Sequence, residues 1–231
     1  MSTNTSEQLT EAQQKTPPEQ ARQGKKFNIR QYFTATRIAY LALFTALSFV
    51  LRLPSFEFMI FPAVPFLKMD FSNTFVMIAG FALGPVSGII VGALKEVLYG
   101  LFFSQTVGVG ELANMLFILA YALVPSIVYV KHKGIKTVIV TLIIGCVSQV
   151  VFSVPINYFI NFPFFWTMTG GSWAEGMDVY LSVWYWAVLF NLVKAVLITA
   201  ATLILYKPLS RLIKATAAKF EGAKHAKKAA Q

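Results

Sequence analysis

Between residues 37 and 205 the chain is a succession of apolar stretches near bilayer length, separated by short polar or proline-rich links, and this pattern leaves little room for any fold but a membrane one. Crossing a hydrocarbon core takes roughly 20 apolar residues. Six stretches approach or reach that length: 37–53, 71–83, 85–103, 109–130, 137–160 and 181–205. Composition agrees, since 56% of the 231 residues are hydrophobic and only 13% charged, where a soluble domain of this size covers its surface with charge.

The second stretch is short, and Gly84-Pro85 breaks the pattern before the third, so the two either cross separately or form one kinked or re-entrant unit. The basic residues decide between these. Lys15, Arg22, Lys25, Lys26, Arg30 and Arg37 precede the first stretch; Lys131, Lys133 and Lys136 link the fourth and fifth; Lys207, Arg211, Lys214 and four further lysines follow the last. Positive flanks stay cytoplasmic, and these three groups share a side if stretches two and three both cross, which one kinked crossing does not allow. The expectation is an all-α integral membrane protein with six transmembrane helices and both termini cytoplasmic, in a multi-pass arrangement in the cell membrane. The net charge of +10 is then topology and attraction to the inner leaflet, not a nucleic-acid footprint.

The domain reading follows. Residues 1–33 are a polar, basic, disordered tail, whose first 26 residues lack the apolar core of a signal peptide. Residues 34–206 form the membrane domain, and 207–231 a basic cytoplasmic tail. Within that tail, residues 214–231 are either an amphipathic or frayed helix at the membrane surface or a solvated segment.

Much catalytic chemistry is missing. His132 and His225 lie in basic flanks, where neither easily joins a buried Ser–His or metal constellation, and Cys146 is the single cysteine, so an intrachain disulfide and a cysteine-rich metal site are excluded. No Gly-x-x-x-x-Gly-Lys-Ser/Thr loop is present to hold ATP. Two similar halves with matching broken helices, common in secondary transporters, are not evident either. What remains is binding.

Asn191 and Lys194 are one helical turn apart in the last stretch, surrounded by apolar residues. A lysine at that depth costs roughly 2.5–3.5 kcal/mol on insertion scales, so it faces a cavity, a partner or a ligand. Asn157, near the end of the fifth stretch, is an amide that also needs a partner. Two asparagines and a lysine suit a flat heteroaromatic edge of alternating N–H and C=O groups; interhelical hydrogen bonding is the competing reading. Phe164, Phe165 and Trp166 are assigned to an interfacial aromatic belt. The link 53–70 carries Pro54, Pro62 and Pro65 yet is strongly apolar, so it either lies among headgroups or folds over a cavity as a lid. Lys95 and Glu96, adjacent and hence about 100° apart on a helix, are read separately, with Lys95 paired to Glu111 of the next stretch. Ala35, Ala39, Ala42 and Ala46 form one helix stripe that admits a close partner helix, within the chain or outside it.

The stretches Phe66-Leu-Lys-Met-Asp-Phe-Ser72, Gly80-Phe-Ala-Leu-Gly-Pro-Val-Ser-Gly88, Leu94-Lys-Glu96, Gly108-Val-Gly-Glu-Leu-Ala-Asn114 and Asn191-Leu-Val-Lys194, in this order, resemble the riboflavin-binding S component of energy-coupling factor (ECF) vitamin transporters. The likeness covers about residues 34–206, and departs from the family at Glu96, where asparagine is expected. It implies a subunit that is not an enzyme and needs no cofactor, that captures riboflavin from outside, and that joins a transmembrane T subunit and two ABC-type ATPases. It implies that Asn157, Asn191 and Lys194, with Phe66 and Leu67 from the first loop, bind the ligand, and that Ala35, Ala39, Ala42 and Ala46 meet the T subunit. The alternatives are an S component for thiamine or folate, a lipid-modifying membrane enzyme, and a purely structural subunit.

Overall fold

A computed structural model of the chain describes residues 33–229, so the tail expected over residues 1–33 lies almost wholly outside the described residues. The helical body begins at Ala35. That body contains α1 (Ala35–Arg52), α2 (Asn73–Leu83), α3 (Pro85–Phe103), α4 (Val109–Lys131), α5 (Ile135–Ile156), α6 (Phe162–Met168) and α7 (Trp173–Ala229). By length and composition α1, α3, α4, the continuous rod from Ile135 to Met168, and α7 as far as Leu209 can each cross a bilayer, and α2 is a shorter apolar helix.

The break at Gly84-Pro85 is real. Gly84 has φ +97°, a left-handed conformation that glycine enters without Cβ strain, and Pro85 opens α3 at a position where its missing N–H is no loss. The two helices then fold back on each other, and Gly88 lies so close to Gly80 that a Cβ there would sit 3.1 Å from the Gly80 Cα. Small residues allow that approach, as they do between membrane helices generally. On its other sides α2 meets α1, α4 and α7, and almost all of it is buried. It is the central post of the bundle.

The fifth stretch, expected over 137–160, runs further, to Met168. Pro155 does not end the helix. The chain continues through a π turn, Asn157–Asn161, directly into α6. The turn lies between Pro155 and Pro163, each of which withholds a donor from the helical ladder, and neighbouring helices in a bundle re-satisfy the freed groups. The last stretch is likewise longer than expected. Helix α7 runs unbroken past residue 205 through Pro208 to Ala229, so the chain over 214–229 continues this helix.

The proline-rich link is neither a helix nor a plain loop. After a single 3-10 turn at Pro54–Phe56, β1 (Phe58–Met59) and β2 (Lys68–Met69) pair antiparallel, Phe58 opposite Met69 and Met59 opposite Lys68. Val64, Leu67 and Met69 turn inward and are buried, whereas Phe56, Phe58 and Met59 face out. The hairpin is tied to the bundle by Phe61 against Trp186 of α7, ring centroids 5.3 Å apart.

Candidate functional site: a capped cavity over a charged network

Beneath the hairpin is a cavity of about 360 Å³. Its walls come from α1, the hairpin, α3, the start of α4, the π turn and α6, and α7. Asn191 and Lys194 stand on the α7 wall; Phe66 and Leu67 reach it from the hairpin. Four of the five residues expected to bind a ligand are therefore brought together.

Asn157 is the exception. It is 0% exposed and is not part of the lining; its amide donates to the Ser153 carbonyl at 2.8 Å and its oxygen accepts from Asn161 at 2.9 Å. Asn161 lines the cavity instead. The π turn is where the two residues differ, since its fifth residue carries the side chain at the wall. Phe165, assigned from sequence to the interfacial belt, also lines the cavity and packs against Phe66. Trp166 is exposed, with its indole N–H 3.2 Å from Glu175 Oε2.

Lys194 is 6% exposed and its ammonium is fixed by the end of the hairpin: 3.1 Å to Asp70 Oδ2 and 3.4 Å to the carbonyl of Lys68. Asn191, 2% exposed, donates back to the Ala187 carbonyl at 2.9 Å. Its amide N–H is thus partly spent within its own helix.

Asp70 is the hub of this arrangement. Its Oδ1 accepts from the backbone N–H of Ser72 at 2.9 Å and from the Ser72 hydroxyl. Burial alone would push its carboxyl up; Lys194, Arg52 and Lys95, together with the Ser72 hydrogen bond, outweigh that and hold it well below the usual carboxylate range. On the far side of Ser72, Lys95 donates at 2.8 Å to the serine oxygen and at 2.8 Å to Asn73 Oδ1.

The pairing expected between Lys95 and Glu111 does not form. Lys95 pairs with its neighbour Glu96 at 2.8 Å, because both long side chains bend to one side despite the 100° between their Cα–Cβ vectors. Glu96 in turn lies 3.7 Å from Arg52, which also pairs with Glu57, and Glu57 is 3.8 Å from Lys68. Charges from α1, the hairpin and its end at Asp70, α3 and α7 are thus linked, with Ser72 joining Asp70 to Lys95. Removing one member of such a buried pair costs about 3–5 kcal/mol, because its partner is left uncompensated. Glu111 instead accepts from the Thr106 hydroxyl at 2.8 Å, and both line the cavity.

Ala35, Ala39, Ala42 and Ala46 are all exposed. Among the described residues the stripe faces away from the core.

A model of the ECF transporter substrate-specific component matches residues 36–206. The chain is 29% identical over 191 residues to the riboflavin transporter RibU of Staphylococcus aureus, covering 82% of this chain and 97% of that one. It is 26% identical over 173 residues to the riboflavin transporter FmnP of Bacillus subtilis, covering 74% and 90%. A solved S component of a bacterial ECF transporter superposes with a TM-score of 0.62 at 29% identity, over 78% of this chain and 98% of the other. Membrane-length helices and a family match over residues 36–206 lead to one conclusion: this multi-pass membrane protein belongs to the substrate-specific, or S, components of ECF transporters, a family of transport subunits and not of enzymes.

Proposed function

We propose that the chain captures riboflavin from outside the cell and passes it inward in a complex with a T subunit and two ABC-type ATPases. The observation that carries this reading is the cavity of about 360 Å³ in which Asn191 and Lys194 face the aromatic underside of a hairpin, in a chain similar to riboflavin transporters. The flavin ring supplies the alternating N–H and C=O edge that an amide and an ammonium can meet, and a planar body for Phe66 and Leu67 to cover. Asn157 acts by holding Asn161, through the 2.9 Å bond between them, at the cavity wall.

The same reading sets the topology. Helices α1 to α4, the α5–α6 rod and α7 make six crossings, with α2 crossing inside the protein and both termini in the cytoplasm, and the basic link 131–136 and the segment after residue 206 on the inner side. Residues 34–206 form the binding domain between basic tails 1–33 and 207–231. The exposed alanine stripe of α1, from Ala35 through Ala39 and Ala42 to Ala46, is the surface for the T subunit.

Absorption and fluorescence titration of the purified protein test the reading. Bound flavin absorbance and quenching of riboflavin fluorescence at stoichiometric protein are expected, with no displacement by excess thiamine or folate. Displacement by either, or a colourless protein that leaves riboflavin fluorescence unchanged, would overturn it.

A further inference from the structure

Asp70 is not part of the cavity lining, yet both of its carboxylate oxygens are committed in a way that fixes a residue that is. Oδ2 takes the Lys194 ammonium at 3.1 Å, and Oδ1 is held by the backbone and side chain of Ser72. Ser72 is itself fixed from the opposite side by Lys95 at 2.8 Å, so its hydroxyl proton is free to point only at Asp70. Asp70 therefore has one rotamer, set by two helices.

An ammonium carries three N–H donors. Two from Lys194 go to Asp70 and to the Lys68 carbonyl, both in the strand end that closes the hairpin. The residue lines the cavity, where the third is available. We propose that Asp70 is a positioning residue for the ligand: it cancels the charge of Lys194 and aims the remaining N–H into the cavity, so that an acceptor on an uncharged ring meets a fixed donor without an unpaired cation. This assignment rests on the reading of the cavity as a flavin site. It also makes hairpin closure and donor placement one event, because Lys68 and Asp70 hold the ammonium only when the hairpin is seated.

The test is a double-mutant cycle with Asp70→Asn, Lys194→Met and the double variant, titrated with riboflavin and with lumiflavin, which keeps the ring but lacks the ribityl chain. Asp70→Asn should weaken both ligands by the same factor, about tenfold or more, as expected for loss of a charge-assisted donor. In the Lys194→Met background the further loss should be under about twofold, the scatter of independent sites. Ser72→Ala, which keeps every charge, should show the same dependence on Lys194 and serves if Asp70→Asn does not fold. Equal losses with and without Lys194, or no loss, overturn the assignment and leave Asp70 a structural contact. A wild-type protein that binds neither flavin overturns the flavin reading and this assignment with it.

Discussion

Phe66 of the hairpin lies almost flat on Phe165 of α6, ring centroids 4.4 Å apart and planes 22° from parallel, while Phe162 meets the same ring edge-on at 4.9 Å. The aromatic clasp holds the cap to the wall opposite α1. Each ring pair contributes about 0.5–1.5 kcal/mol beyond its buried area. Phe66→Ala removes both, and riboflavin should then leave about tenfold faster or more with a smaller change in association, measured by stopped-flow fluorescence. Phe66→Leu, which keeps area but not the stacked face, should fall between.

Gly145 marks a tight crossing of α5 on α4. A Cβ there would sit 2.6 Å from the backbone carbonyl of Tyr121, which cannot swing aside, and 3.2 Å from the Pro125 ring. Gly145→Ala should cost about 1–3 kcal/mol by overpacking and lower the unfolding temperature of the detergent-solubilised protein. The loss of stability should come without a matching loss of flavin affinity, since the residue is not part of the cavity lining.

Val107, before α4, has φ +49° and is 90% exposed. A β-branched residue in the left-handed region is strained by roughly 1–2 kcal/mol. Val107→Gly should relieve that strain and raise the unfolding temperature, by about 2–4 °C for each kcal/mol gained in a chain of this size. A fall would mean that the exposed valine side chain makes a contact outside the chain.

The depressed Asp70 carboxyl gives a pH expectation. An aspartate with a folded-state pKa below its unfolded value of about 3.9 contributes stability that is complete above that value and is lost as pH falls through the folded pKa. The contribution from Asp70 should therefore be constant from pH 8 down to about pH 4 and decline only in stronger acid. Thermal unfolding of the wild type and Asp70→Asn over this range checks it. The gap between the two proteins should stay level to about pH 4 and close below.

If the alanine stripe is the surface for the T subunit, substitutions there separate binding from assembly. Ala42→Trp and Ala46→Trp place bulk on an exposed face of α1. Riboflavin affinity of the purified subunit should change by less than about twofold, while co-purification with the T subunit and cellular uptake fall. Lost affinity in the isolated subunit would instead put the stripe inside the binding machinery.

The apolar stretches, the break at Gly84 and the burden of Asn191 and Lys194 were legible because period, length and the cost of a charge in lipid are local properties. The partner of Lys194 was not. Asp70 is 124 positions away along the chain, and nothing in the surroundings of either residue names the other. The expected Lys95–Glu111 pair failed for a related reason: side-chain direction on a helix was taken as rigid, whereas a lysine and a glutamate are long enough to bend together. At Pro155 the helix passes into a π turn with no break, because neighbouring helices in a bundle re-satisfy the groups that a proline frees. That turn is why Asn161, not Asn157, stands at the cavity wall. Phe165 looked like one more aromatic in an interfacial belt, and only its ring partner distinguishes it.

Helix α2 has 11 residues, about 16 Å of rise, against the roughly 20 residues of a full crossing. A helix this short facing lipid would pinch the bilayer. It sits in the centre instead, with Arg37 donating to the carbonyl of Leu83 at one end and Ser48 to the carbonyl of Ser72 at the other. Its length is thus set by protein and not by membrane thickness, and the roughly nine residues it lacks leave an empty storey above its first turn. The hairpin, the ion pairs and the cavity occupy that storey: the site is hollowed out by omission, and extending α2 by two turns would fill it.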